Sequence, residues 1–141
     1  MKTLTIILTL IFSLMFSSTS FAEWKKVDKE VRGNTYYVDF ERIKKHDGYV
    51  YWWDLTDYLT PSPQGNLSAK IYIQGDCKKF RYKWLVTSFH KEPMGEGVSA
   101  YGGGEPTEGN RGWQYPLPDT SNETVLKSVC EFARLLIFND N

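Results

Sequence analysis

Beyond residue 22 the chain runs as short stretches in which apolar and polar residues alternate, the period-two signature of strands. In "EWKKVDKEVRGNTYYVDFERI", Trp24 and Val27 mark a first segment, and Tyr36, Val38 and Phe40 alternate with Tyr37 and Asp39 in a second. "RGN" between them supplies a Gly-Asn turn, so a hairpin over residues 23–40 is predicted. "KKHDG", residues 44–48, is the next turn signal. "YVYWWDLTDYL", residues 49–59, is rich in β-formers. Tyr49, Tyr51, Trp53, Leu55 and Leu59 share its more apolar side and are expected to face the core. "TPSPQGN" is a loop, because proline cannot donate to a sheet ladder. "LSAKIYIQGD" is another strand, with Ala69, Ile71 and Ile73 on one side. In "FRYKWLVTSFH", Phe80, Tyr82, Trp84 and Val86 fall on one face, while Lys79, Arg81 and Lys83 fall on the other. The tight Gly75-Asp76 connection predicts that residues 67–74 and 78–90 pair as antiparallel neighbours.

The period changes near the C-terminus. Leu126, Val129, Cys130, Ala133, Leu136 and Ile137 recur at helical spacing and form one apolar stripe. Thr120 and Glu123 stand at the spacing of a capping box, so a helix is predicted to start there. Residues 91–113 hold most of the eleven glycines and are expected to form a long loop, mobile at least in part.

The first 22 residues follow different rules. Lys2 precedes a thirteen-residue apolar run, residues 4–16, and then small residues, with Ser20 and Ala22 placed for a cut before Glu23. That is the layout of a secretory signal peptide, and the run is shorter than the ~20 apolar residues a membrane span needs. The expected product is one exported domain, residues 23–141, periplasmic or secreted, with no membrane span after cleavage. No cysteine lies near the cut, which argues against a lipid-modified N-terminus. Cleavage removes only Lys2 among the charged residues, so the charge stays near balance and nucleic acid is not an expected partner.

Export changes how the two cysteines read. An even pair in an oxidising compartment predicts a Cys77–Cys130 disulfide. The loop of about fifty residues that it closes gives up to ~4 kcal/mol of stabilisation in the chain-entropy model. Free thiols are the rival reading, but a nucleophilic cysteine needs a base, and scattered Cys77, Cys130, His46 and His90 lack zinc-site spacing. A cysteine on the apolar stripe of a helix reaches Cys77 only if that stripe rests on the strands, so periodicity and disulfide predict the same contact: helix across sheet.

Little else carries chemistry, and no cofactor or metal is expected. "YGGGEPTEGN" lacks the Gly-Lys-Ser/Thr of a phosphate loop. Asp54 and Asp57, three apart on a strand, point to opposite faces and read as solvated edge or turn carboxylates. Ser88 and His90 share a strand face without an evident third member. "NLS" and "NET" match the N-glycosylation acceptor, which matters only in a host that glycosylates exported chains. Lys79, Arg81 and Lys83 are the candidate electrostatic binding face, suited to sulfated glycans or acidic protein patches. The bland alternative is the solvated side of a half-buried strand.

The order of features resembles a family. Trp24, "YYVDFERIKK", "VYWWDLTDY", "SAKIYIQGDC" and "GWQYPLPDTSNETVLKSVC" look like the surface-adhesin protein E-like domain of Gram-negative bacteria, over nearly all of the expected mature chain. The resemblance implies an α+β fold: a curved antiparallel sheet of about six strands, with a C-terminal helix tied by the disulfide to its concave face. It implies a non-enzymatic binding or adhesion domain of the cell envelope, with a protein or glycan ligand and a homodimer as one expectation. The competing expectation is a periplasmic hydrolase or small-ligand carrier that uses the sheet face and the glycine loop.

Overall fold

A computed structural model describes residues 22–99 and 112–136. The expected signal segment therefore lies outside the described residues apart from Ala22. So do the middle of the glycine-rich loop, residues 100–111, and Ile137 of the helical stripe.

Six strands and one helix account for the fold: β1 (Trp24–Lys29), β2 (Thr35–Asp39), β3 (Lys44–His46), β4 (Tyr49–Asp57), β5 (Ser68–Asp76), β6 (Arg81–His90) and α1 (Ser121–Leu135). All pairings are antiparallel, in the order β1-β2-β4-β5-β6. β3 also pairs with β4. The nine residues of β4 are long enough to take β2 along one half and β3 along the other, and the 3-10 turn Phe40–Arg42 joins these two partners. The predicted hairpins β1–β2 and β5–β6 are both present. The "KKHDG" expectation needs correcting: residues 44–46 are a strand, and only Asp47 and Gly48 turn. Both have positive φ, 49° and 79°, as a two-residue hairpin turn of matching twist requires.

α1 packs across β1, β2 and β4. Its start follows the capping expectation, since Glu123 N–H donates to Thr120 Oγ1 (3.4 Å) while Glu123 Oε2 accepts from Asp119 N–H (2.8 Å). Val125, Leu126, Val129 and Ala133 of α1 are buried against Val38, Val50, Trp52, Ile73 and Tyr82 of the sheet. Phe132 adds a ring contact to Phe40 at 5.1 Å. The Cys77–Cys130 disulfide ties the helix to the end of β5, with Cα atoms 5.7 Å apart. The helix-across-sheet expectation is thereby met.

β4 is turned over relative to expectation. Val50, Trp52, Asp54 and Thr56 are buried on the helix side, whereas Tyr49, Tyr51 and Trp53 are half-buried on the outer side. Leu59 is exposed, and of the set expected in the core only Leu55 is fully buried. Both parities of this strand carry large rings, and the small margin in hydrophobicity between them favoured the side that faces outward. Fit decides: Gly75 stands opposite Val50, and a Cβ there would lie 2.7 Å from Trp52, so the missing side chain makes room for that indole. Asp54 is consequently buried, not a solvated edge carboxylate.

β6 departs in a smaller way. The register shifts between Tyr72 and Ile73, whose partners are Val86 and Trp84, leaving Leu85 as an extra residue. A bulge of this kind flips the alternation beyond it, so Val86 joins Tyr72 on the outer face instead of sharing the face of Trp84.

Candidate functional site

The face of the sheet turned away from α1 is unusually rich in rings and cations. β4 supplies Tyr49, Tyr51 and Trp53, β5 supplies Tyr72, and β6 supplies Arg81 and Lys83. Period-two alternation puts them there: directly paired strand residues share a face, and Trp53 pairs with Tyr72, Gln74 with Lys83, and Asp76 with Arg81. The Tyr72 ring lies 5.0 Å from Trp53 and 6.2 Å from Tyr51. Burial, then the neighbouring Tyr51, push the Tyr72 hydroxyl above its ordinary pKa.

Trp113 completes the row. Gln114 makes two backbone hydrogen bonds to Tyr82 of β6 (2.9 and 2.8 Å), which fixes this segment along the sheet edge. From there the Trp113 ring stacks on Tyr49 (5.5 Å, 29° between planes). Arg81 lies 4.3 Å and Lys83 5.0 Å from the Trp113 centroid, both within cation–π range. Arg81 also donates from Nε to Asp76 Oδ2 (3.0 Å), and Asp76 Oδ1 accepts from Lys79 N–H (3.1 Å). Burial works to raise the Asp76 pKa, but the Lys79 N–H and the Arg81 guanidinium outweigh it and hold the carboxyl below its usual range.

Of the three predicted cations, Arg81 and Lys83 therefore converge on one ring. Lys79 does not: it is exposed in the turn before β6, and its side chain is outside this cluster. Sequence reasoning missed Trp113, Tyr49 and Tyr51. The first sat in a loop assigned no register, and the other two were placed in the core by the wrong choice of parity on β4.

The other end of this face is covered. The 3-10 turn Pro93–Gly95 folds over β4 and β5, with Met94 N–H donating to Asp57 Oδ1 (2.6 Å) and Gly95 N–H to Ser68 Oγ (2.9 Å). Ser68 Oγ in turn donates to the Glu92 carbonyl (2.6 Å). The first part of the glycine-rich segment, expected to be a long loop mobile at least in part, is thus pinned at residues 92–95. Gly95 (φ 70°) sits directly on Lys70, where a Cβ would meet Cε at 2.0 Å.

Groups weighed for catalysis assemble incompletely. Ser88 Oγ and His90 Nε2 are 3.0 Å apart, so the two side chains do meet. Among the described residues, His90 Nδ1 is buried without a hydrogen-bond partner, so none of them supplies an acid that orients the imidazole. Asp54 and Asp57 lie on opposite faces, as expected. Asp54 Oδ1 accepts from Trp52 Nε1 (2.6 Å) beneath α1, and its burial pushes the pKa up to about 8. Among the described residues, no group of three or more His, Cys, Asp or Glu side chains is placed to hold a metal. In the folded chain Asn66 and Ser68 of the "NLS" acceptor are both buried.

Comparison with known proteins supplies the remaining observation. The model of the surface-adhesin protein E family matches residues 24–131. Among solved structures, crystal form II of Haemophilus influenzae protein E aligns with a TM-score of 0.58 at 20% identity, covering 81% of this chain and 91% of that one. A second structure, of protein E from non-typeable Haemophilus influenzae, aligns with a TM-score of 0.53 at 20% identity, covering 81% and 79%. These likenesses are of fold. No curated protein sequence matches the chain.

Proposed function

We propose a non-enzymatic binding function for this chain, which belongs to the surface-adhesin protein E family. Membership supports an exported, surface-associated role of the adhesin type. In the proposed form, residues 1–22 are removed and residues 23–141 act as a single domain. No helix among the described residues is long and apolar enough to cross a membrane.

The observation that carries the reading is the cluster of Trp113, Tyr49, Arg81 and Lys83, continued by Tyr51, Trp53 and Tyr72. Trp, Tyr and Arg dominate the energetics of binding surfaces, because each buries a large area and carries a polar tip. Here they are held in place by a rigid sheet. The cations select for negative charge, so the proposed ligand is a protein segment or glycan bearing acidic groups. Nucleic acid is not proposed, since the chain has no basic excess. Self-association through the same face is the competing way to cover it.

The test is quantitative capture by the immobilised mature chain of envelope and medium components, alongside sedimentation of the free chain. Trp113→Ala and Lys83→Glu are expected to lower capture about tenfold each, as hot-spot substitutions do. Undiminished capture by both variants would remove the face from consideration. Hydrolysis of a model ester by the wild type that His90→Ala abolishes would replace the binding reading with the hydrolase one.

A further inference from the structure

On the helix side of the molecule, a recess of about 680 Å³ opens between the β3–β4 turn, the turn into β6 and the C-terminal half of α1. Its volume falls within the ~300–1,000 Å³ of small-molecule sites. Tyr49 is shared with the aromatic row of the outer face, while the other lining residues are separate from it.

The floor and the rim differ in chemistry. Val50, Phe80, Ala133 and the Cys77–Cys130 bridge form the floor, and the recess surface is mainly apolar. None of these side chains offers a strong hydrogen-bonding group. Phe80 enters the floor from a left-handed backbone, φ 49°, which is costly for a bulky residue and persists only where the surroundings enforce it. Lys45, Lys78, Lys127 and Arg134 stand around the mouth. Against them are two carboxylates, Glu131 and Asp47, and Asp47 already faces His46 at 3.0 Å. The excess of positive charge at this mouth contrasts with a chain whose formal net charge is zero.

A ligand matching both parts has an apolar body and one anionic end. Nucleotides and sugars would leave their polar groups unpaired against this floor. We propose that the recess binds a single free fatty acid, its alkyl chain over Phe80 and the disulfide and its carboxylate among the lysines and arginine of the rim. This goes beyond the adhesin reading and does not depend on it.

Calorimetric titration of the mature chain with dodecanoate, kept below its micelle concentration, tests the proposal. The expected result is saturable one-to-one binding. Decanoate should bind about fifteenfold more weakly, because each of the two lost methylenes removes about a fourfold factor of apolar burial. The double variant Lys127→Glu, Arg134→Glu should lose about tenfold for dodecanoate, and both sites are exposed, so the fold is retained. Undecyltrimethylammonium has the same alkyl chain as dodecanoate with the opposite head charge; it should bind poorly to the wild type and better to the double variant. Equal affinity for the two head groups, or absence of saturation, overturns the proposal. So does association with anionic vesicles without any binding of monomeric dodecanoate, which would make the rim a membrane-surface patch. Binding that emerges only after residues 137–141 are deleted would assign the recess to the chain's own terminus and overturn it as well.

Discussion

Asp54 lies under the helix, and its described hydrogen bond comes from Trp52 Nε1. It borders a gap of about 10 Å³ lined also by Tyr82, Asn122, Val125 and Leu126, the lower limit of space for one water. Burial pushes its pKa up to about 8, with the Trp52 hydrogen bond pulling weakly the other way. Burial, and then Asp54 itself, likewise raise the pKa of Tyr82. The sign of the consequence is definite. Between roughly pH 4 and pH 8 the folded state keeps a proton that the unfolded chain has released, so stability falls as pH rises through that window. Four units of separation correspond to an upper figure of about 5 kcal/mol. Denaturant titrations should therefore find the mature chain more stable at pH 5 than at pH 8. Asp54→Asn keeps an acceptor for Trp52 without a charge, so its profile should flatten and its stability at pH 8 should exceed that of wild type. A wild-type profile that rises from pH 5 to pH 8 would place a water path or an unrecognised cation beside this carboxylate. At the acid limit Asp76 acts oppositely: its contribution is lost as pH drops through its lowered pKa, so the optimum should lie on the mildly acid side of neutrality.

At the scale of elements, α1 is held by its apolar stripe and by one covalent link. The link spans 53 residues, so its removal restores considerable freedom to the unfolded chain. Cys77→Ala, Cys130→Ala should lower the unfolding free energy by about 2–4 kcal/mol, read as a reduced denaturant midpoint. The far-ultraviolet spectrum should persist at low denaturant, because Val125, Leu126 and Val129 still bury themselves against the sheet. This contact was legible in the sequence, since helical periodicity and paired cysteines are independent signals that agreed. The strands of β1, β2, β5 and β6 were legible for a similar reason: alternation and turn residues coincided at "RGN", whereas Gly75 and Asp76, read as the connection between β5 and β6, are the last paired residues of β5 and the turn itself is residues 77–80. The facing of β4 was not. Val50, Trp52 and Asp54 lost to Tyr49, Tyr51 and Trp53 on hydrophobicity, yet α1 and Gly75 accept the former set, and such complementarity is a property of three elements at once. The same error hid Asp54 and half of the outer aromatic row. Trp113 was hidden because its position depends on Gln114 bonding to Tyr82, a pairing carried by two backbone groups and no side-chain pattern.

The whole molecule sets how the outer face can attract a ligand. With seventeen acidic and seventeen basic side chains, the intact chain has no net field to draw polyanions from a distance. Attraction must come from the local cluster, where Arg81 is already shared with Asp76 and Lys83 leans on Trp113. Such short-range charges are screened once the Debye length shrinks from ~10 Å at 0.1 M salt to ~3 Å at 1 M. The stacked rings supply the rest of the grip and are indifferent to salt. Capture through this face should therefore weaken only several-fold between 0.1 and 1 M sodium chloride. Lys83→Glu should remove most of that salt dependence. Trp113→Ala should lower affinity at every salt concentration and leave the slope nearly as steep. Binding rates measured across the salt series separate the two contributions, because charge acts mainly on association and ring burial mainly on dissociation. A loss of several orders of magnitude across this range would mean that the ligand is gripped by many more cations than Arg81 and Lys83, and that the aromatic row is packing alone.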